Sequence, residues 1–477
     1  VKECRYDAVV IGAGAAGMAS ALSLSRRGYS CVLVDREEYL GGILLQCVHN
    51  GFGLQHFGEE LTGPEFAFRF EREVISAGIP FLSGTTVLSV KRKKSADGGE
   101  TSADDSFRGS FTHGSFNLLL SSGANGVIRV TSSAVILAMG SRERNRGNIR
   151  IAGDRPSGVF TAGLVQHLLN IDGYVPGKRA VIIGSGDIGL IMARRLTLSG
   201  VKVEAVVEIQ SFPSGLTRNI VQCLEDYSIP LYLSHATLRI NGKSRVTGIE
   251  VAPLENGAPR PEKSFRIPCD TVLLSVGLVC ENELSAKAGV ALNPVTNGPI
   301  VDSALMTSIP GIFASGNVLH IHDLVDRVVE EADRAGSSCA DWLDKLDAQK
   351  GTATAGDEAA EGAGVIAVTG AAILSANAEV PLRAGSNVRY TVPSSIDPSR
   401  TVRLSLRSMV VMDKGTFLVS LSGCRIFEKK LSWVKPGEMI SIDIPPMQDA
   451  IAGSAQNSCL EISLIPSSNS TSDEVGA

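Results

Sequence analysis

The stretch YDAVVIGAGAAGMASALSLSRRGYSCVLVD, residues 6 to 35, decides the fold. An apolar run of strand length meets glycines at 12, 14 and 17, small and apolar residues then recur at helical spacing, and a second apolar run ends on Asp35. Strand, glycine turn, helix and strand make one βαβ unit, which needs a parallel sheet. Each residue type has a reason. Gly12 permits a tight turn, Gly14 lets the backbone approach a pyrophosphate, and Gly17 allows the helix to pack closely on the strand. The helix N-terminus, at Ala15 and Ala16, offers unpaired N–H groups to phosphates. Asp35, with Arg36 beside it, stands about 20 residues on, where a carboxylate accepts hydrogen bonds from a ribose.

The plan recurs in RAVIIGSGDIG, LIMARRLTLSG and VKVEAVVE, residues 179 to 208. Gly184, Gly186, Asp187 and Ile188 occupy the turn, and Glu208 closes the following strand. An acid there accepts the adenosine ribose hydroxyls and repels a 2′-phosphate, which favours NADH over NADPH, with nearby Arg194 and Arg195 as the counterweight. The two units lie too far apart for a solenoid period, so they mark two domains of similar design. At 477 residues the chain exceeds what one core usually serves.

Further strands end in glycine: SAVILAMGS (133 to 141) with Ala138 and Gly140, DTVLLSVGL (270 to 278) with Gly277, and GIFASGNVL (311 to 319) with Gly316. Residues 322 to 346 show apolar residues at helical intervals and charge elsewhere, as in an amphipathic helix. Residues 347 to 364 lack large side chains and read as a flexible linker. Residues 91 to 115 are polar, glycine-rich and serine-rich and read as a long hairpin connection or an insertion, mobile in either case. The last part, from 365, alternates apolar and polar residues between Pro, Gly, Asn and Asp, as in a small β domain, and the tail from 467 reads as disordered.

The expected fold class is therefore α/β: two Rossmann-like dinucleotide-binding domains plus a C-terminal antiparallel β domain. The expected boundaries are 1–150 with 301–346 for the first domain, 151–300 for the second, 347–364 for the linker and 365–477 for the β domain. Hydrophobic residues make up 44% and charged residues 20%, with net charge -5, so no polybasic face exists to bind nucleic acid. No apolar run reaches the roughly 20 residues of a membrane span. The first residues run straight into a strand without a secretion signal, so a cytoplasmic location is expected. The nine cysteines form no CxxC pair, which argues against structural metal, iron-sulfur clusters and a disulfide framework.

The order GAGAAG, AMG, GSGDIG and GIFASGN resembles the two-dinucleotide-binding-domain flavoproteins, the class of the pyridine nucleotide-disulfide oxidoreductases, over residues 6 to 346. Within it, GGILLQCVHNGFG, ELTGPEF, GSGDIGLIMARRL and GNVLHIHDLVDRVVEEA are similar to FAD-dependent oxidoreductases found alongside glycerol-3-phosphate dehydrogenase-type proteins in bacteria. The resemblance implies FAD on Gly12, Gly14, Ala16, Gly17 and Asp35, the adenine meeting the backbone of Val87, and Gly42, Ile43 and Cys47 running beside the flavin near Gly140. It also implies NAD(H) on the second unit. Gly316-Asn317 stands where the class usually has Gly-Asp, removing a negative charge beside the flavin. A helix starting near His322 would aim its positive end at the flavin, making His320, His322 and Asp323 candidates for tuning or proton delivery, beside a reading as caps on a solvated helix start.

Cys47 is the one thiol in a flavin-side segment. A disulfide reductase needs two, so internal dithiol chemistry is nearly excluded. A single-cysteine peroxide or disulfide reductase, with His49 assisting, stays open beside simple packing. The leading expectation is an FAD-dependent NAD(H) oxidoreductase passing electrons to a small-molecule or protein acceptor, for which a glycerol-3-phosphate dehydrogenase-type companion is a candidate. A flavin-carrying assembly subunit is the other alternative, and a homo-oligomer is allowed. Arg403, Arg407, Lys429 and Lys430 read as scattered solvated charge, with a partner-facing patch as the alternative.

Overall fold

The structure is a computed structural model that describes residues 2–93, 115–357, 379–451 and 458–467. The first unit is built on β1 (Lys2–Ile11), α1 (Ala15–Arg26), β2 (Cys31–Val34), β3 (Phe81–Leu82), β4 (Thr85–Arg92), β5 (Phe116–Ser122) and β6 (Gly126–Leu137). Its strand order is β3-β2-β1-β6-β5-β4, with a further strand from far downstream pairing β6. β1 lies parallel to both β2 and β6, with Ala8 opposite Cys31 on one side and Ala134 on the other. Helix α1 packs on one face of this sheet, and the downstream segment 290–319 with Tyr390 and Val392 packs on the other, so Ala8 to Val10 are completely buried. That burial on both faces is why the strand reads as an uninterrupted apolar run.

The second unit comprises β7 (Val159–Thr161), β8 (Arg179–Ile183), α2 (Asp187–Leu198), β9 (Lys202–Val207), β10 (Leu231–Tyr232) and β11 (Thr271–Leu274). Its five strands run in the order β7-β11-β8-β9-β10, and every pairing is parallel. A short antiparallel ribbon joins the units, with Ser141–Glu143 against Leu278–Cys280.

The chain then returns to the first sheet. β12 (Ile312–Ala314) pairs β6, and α3 (Val325–Asp357) packs along α1, where Ser20 Oγ donates to Ala332 O at 2.9 Å. Small side chains on α1 permit this close helix contact. The expected domain line at 300 falls too late: Leu284, Ala288, Val290 and Leu292 pack into the first unit's core, because the ribbon has already carried the chain back. The linker at 347–364 is also corrected, since α3 continues to Asp357. A helix already docked needs no new nucleus to extend past the expected boundary. Residues 358–364, the connection 94–114 and the tail from 468 lie outside the described residues. The pairing of β4 with β5 shows that a hairpin brackets that connection.

The β domain holds a five-stranded sheet and a three-stranded sheet. Leu404, Leu406 and Ile442 of one sheet meet Phe417, Val419 and Ile462 of the other in a single core. Its pairings are antiparallel except one: Val380–Ala384 lies parallel to Leu460–Pro466, the first and last long strands of the domain. The domain is not a separate bead. Tyr390 and Val392 belong to the first unit's core, and Ser394 N–H donates to Val301 O at 2.9 Å.

Phe417 is completely buried between the two sheets. Phe417→Ala is expected to cost about 3–5 kcal/mol through lost burial and the cavity left behind. Urea unfolding of the full chain measures this, and a loss below about 1 kcal/mol would contradict the two-sheet core.

Candidate active site

Sterics fix both glycine turns. Gly12 has φ +106°, and a Cβ there would stand 2.2 Å from Ala138 O; at Gly17 it would stand 1.8 Å from Gly12 O. Gly184 repeats the arrangement at φ +94°, with Ser275 O 2.1 Å away. A side chain at any of these would push the helix off its strand. Each turn is also held by its acid. Ala13 N–H donates to Asp35 at 2.6 Å, and Ser185 N–H to Glu208 at 2.8 Å. Asp35 accepts a second bond from Glu37 N–H at 3.0 Å, and Glu208 from Ser185 Oγ at 2.6 Å and Gln210 N–H at 2.9 Å.

The first candidate set gathers around one turn. Nothing stands within 4 Å of the position a Cβ would take on Gly14, the open approach a pyrophosphate requires. Gly42 packs on Gly14, with its Cβ position 3.1 Å from Gly14 Cα, and the Cβ position of Gly316 lies 2.8 Å from Ala16 Cβ. Ala15 and Ala16 begin α1, which has neither a side-chain cap nor an acid in its first turn, leaving N–H groups for an anion. These features fit a flavin dinucleotide. Gly140 (φ +72°) accepts Glu281 N–H at 3.0 Å, Ile43 is exposed, Val87 is half-buried on β4, and Arg36 is exposed beside Glu37.

In the second set Gly186 caps α2 and Ile188 packs on the second core. Gly277 (φ +97°) accepts Arg144 N–H at 2.9 Å. Asp187 has a local task, because its carboxylate accepts Leu216 N–H at 2.8 Å and Asn219 Nδ2 at 2.7 Å.

Behind Gly316 lies a charged knot. Glu331 accepts Gly316 N–H at 2.8 Å through one oxygen and faces His320 Nε2 at 2.9 Å and His322 Nε2 at 3.5 Å through the other. All three side chains are at most 3% exposed, so His320 and His322 are interior groups rather than caps of a solvated helix start. Burial alone would raise the Glu331 pKa, but the facing imidazoles, His322 and then His320, hold it well below the carboxylate range. Burial, then His322, pushes His320 below the usual imidazole range against the pull of Glu331. Among the described residues its buried Nδ1 has no partner, which suits a neutral ring donating from Nε2. The three ligand-type atoms lie within 4.8 Å of one another, and hydrogen bonding accounts for that spacing without an ion.

Asn317 Oδ1 accepts His322 N–H at 3.0 Å, bracing this loop. The helix expected near His322 begins instead at Val325, and Asp326 in its first turn accepts N–H groups of Gly53, Gln55 and His56. Arg403 and Arg407, read as solvated or partner-facing, turn inward: Arg403 pairs Glu330 and Asp443, and Arg407 pairs Asp323. Lys429 and Lys430 stay exposed. A small cavity bordered by His322, Glu331, Arg334 and Arg403 separates α3 from the β domain.

Cys47 is half-buried, its thiol donating to Ile43 O at 3.2 Å with Gln166 Oε1 at 3.9 Å, and burial pushes its pKa up to about 12. A thiol so protonated is a poor nucleophile. His49 Nδ1 meets Asn50 O at 3.0 Å, and burial lowers its pKa. The neighbouring Gln46 does what the sequence did not reveal: it bridges the units, donating to Gly163 O at 3.0 Å and Gln166 at 3.1 Å while its carbonyl accepts Asn170 Nδ2 at 2.8 Å. Glu331 was equally hidden, because a glutamate pair on an amphipathic helix reads as solvated face.

Two glycine-turn units, each closed by an acid and joined by a ribbon, define a two-domain dinucleotide-binding oxidoreductase. The chain belongs to the pyridine nucleotide-disulphide oxidoreductase family, whose model matches residues 6–338, and is an FAD-dependent NAD(P)H oxidoreductase. It is 25% identical over 377 residues to the glutamate synthase [NADPH] small chain of Escherichia coli, covering 72% of this chain and 70% of that one. It is 24% identical over 332 residues to hydrogen cyanide synthase subunit HcnB of Pseudomonas protegens, covering 65% of each. Thioredoxin reductase of T. acidophilum shares the fold, with TM-score 0.55 and 22% identity over 71% of this chain and 98% of that one. Among the described residues no helix is long and apolar enough to cross a membrane.

The knot sets an acid sensitivity. His320 and Glu331 both have folded pKa values below their unfolded ones, so on acidification the unfolded chain binds protons that the folded site refuses. Stability is therefore full at neutral pH, falls below about 6.5 as the unfolded imidazole titrates, and falls further below about 4.5. Urea midpoints measured from neutral to about pH 4 check this, and Glu331→Gln is expected to flatten the lower part of the decline.

Proposed function

We propose that the chain is an NADH-linked FAD oxidoreductase that passes electrons on to a partner protein or small acceptor. The observation that carries the NADH preference is the disposition of charge at the second turn. Glu208 keeps its carboxylate on the turn where the adenosine ribose binds. The two arginines that would offset it are engaged elsewhere: Arg194 Nε donates to Tyr227 Oη at 3.4 Å and Arg195 Nε to Asn170 Oδ1 at 2.8 Å. A 2′-phosphate would meet an unbalanced negative charge.

A flavin held by the first glycine turn would supply hydride acceptance from a nicotinamide and one- or two-electron delivery to an acceptor. The chain's own residues bind and orient. Gly12, Gly14 and Gly17 with the start of α1 hold the pyrophosphate, and Asp35 keeps lone pairs for a ribose. Gly316 and Asn317 stand over the same turn, backed by the ionised Glu331, which fixes the loop through Gly316 N–H. The single-cysteine reading loses support from the raised pKa of Cys47, whose thiol is engaged by Ile43 O.

The names of two relatives, a small chain and a subunit, favour a companion protein as acceptor. A glycerol-3-phosphate dehydrogenase-type companion rests on the sequence phrases alone, as does a cytoplasmic location.

The visible spectrum of the purified protein, taken anaerobically before and after NADH, tests the reading. A flavin spectrum that bleaches with NADH is expected, with kcat/KM about tenfold or more above that for NADPH, a gap of roughly 1.4 kcal/mol. Glu208→Ala should narrow the gap. A flavin that NADH leaves oxidised would sink the reading. Peroxide turnover after Cys47→Ser separates the alternatives, since a thiol mechanism requires its loss, whereas flavin reduction by NADH should persist at the wild-type rate.

A further inference from the structure

Residues 433–439 of the β domain touch both nucleotide-binding units at once. At one end the segment is fixed to the first unit: Met439 N–H donates to Asp323 at 2.6 Å. Arg407 reinforces this end, donating to Gly437 O at 2.8 Å and Ile321 O at 3.1 Å while pairing with Asp323. At the other end Lys435 Nζ donates to Thr217 Oγ1 of the second unit at 3.2 Å. Gly437 passes so close to Ser214 that a Cβ would stand 2.5 Å from the Ser214 carbonyl oxygen, so only glycine fits.

Ser214 is no bystander. Its Oγ lies 3.3 Å from Glu208 and its N–H donates to Ser185 Oγ at 2.9 Å, so the β domain stands one residue away from the acid and the turn. The same loop is held from the opposite side, where the Arg218 guanidinium lies against Gly51 of the first unit, 2.4 Å from its Cβ position. The 214–218 loop is thus gripped between the first unit and the β domain.

We propose that residues 433–439 are a strap that positions the second dinucleotide turn against the first unit, with Lys435 and Gly437 as positioning residues for NAD(H). The proposal rests on the reading that Glu208 receives the ribose of NAD(H). Its physical reason is geometric. Hydride transfer needs the reacting atoms at about 3–3.5 Å, and small rotations between the units are amplified at that gap. The ribbon between the units is a hinge of two short strands, and the strap adds a brace far from it.

The test uses the full-length flavoprotein as Gly437→Val, Lys435→Glu and the conservative Lys435→Arg, with Lys430→Glu, an exposed lysine of the same domain, as control. Flavin content and thermal unfolding are recorded first; Lys435 is a surface residue, so its variants fold even where Gly437→Val does not. Anaerobic stopped-flow reduction then reads the NADH concentration for half-maximal rate and the limiting rate separately. The expected result is a rise of at least about fivefold in half-saturating NADH for Lys435→Glu and Gly437→Val, with wild-type behaviour for Lys435→Arg and Lys430→Glu. Wild-type half-saturation in both strap variants overturns the proposal.

If NADH fails to reduce even the wild type, the functional reading has failed. Small-angle scattering then decides the strap by itself: a broader distance distribution in Lys435→Glu than in wild type upholds it, and superimposable profiles overturn it.

Discussion

The structure depends on one contact made twice, the close approach of a glycine turn to the carbonyl of a neighbouring strand, Gly12 to Ala138 and Gly184 to Ser275. No side chain fits at either place. The approach lets the following helix begin directly over the strand end, so its first N–H groups face a ligand instead of protein. The acid at the end of the next strand completes the turn by accepting the N–H that follows the first glycine. In both units the groups that shape the turn are the ones proposed to hold a dinucleotide.

Everything else in the chain keeps these two turns in place relative to each other. Gln46 bridges the flavin-side segment to the helix Ala162–Asn170 of the second unit, and the ribbon joins the units covalently. The knot of Glu331, His320 and His322 fixes the loop that carries Gly316, and Arg407 ties that loop to the β domain. A buried carboxylate is costly unless it is paired and hydrogen-bonded, and Glu331 is both. That arrangement holds a negative charge behind Gly316, close to where Asn317 replaces the acid usual in the family.

The third domain changes in meaning when its contacts are known. By pattern it is a β module following a polar stretch, attached as an appendage. In the structure Tyr390 and Val392 share the first unit's core, and Gly437 reaches the second unit. Arg403 and Arg407 are held in ion pairs within the chain, and among the described residues one parallel strand pairing closes the module on itself.

What the sequence by itself determined was local: glycines spaced by the sterics of a turn, acids ending strands, and apolar runs buried on both faces. These constraints act between residues near in the chain or at a fixed repeat, so Gly12, Asp35, Gly184 and Glu208 were legible without coordinates. Cys47 was legible as a segment but not as a role, because its pKa depends on what surrounds the thiol. Glu331, Gln46, Arg407 and Ser214 were decided only by tertiary structure. Gln46, Arg407 and Ser214 act across more than eighty residues of sequence, as in the Cys47 neighbour Gln46 reaching Gly163, whereas Glu331 has its partners within fifteen residues and owes its burial to packing against the β domain. A glutamate on an amphipathic helix carries no sign of being buried until another domain covers it, since burial belongs to the packing of distant surfaces and not to the residue.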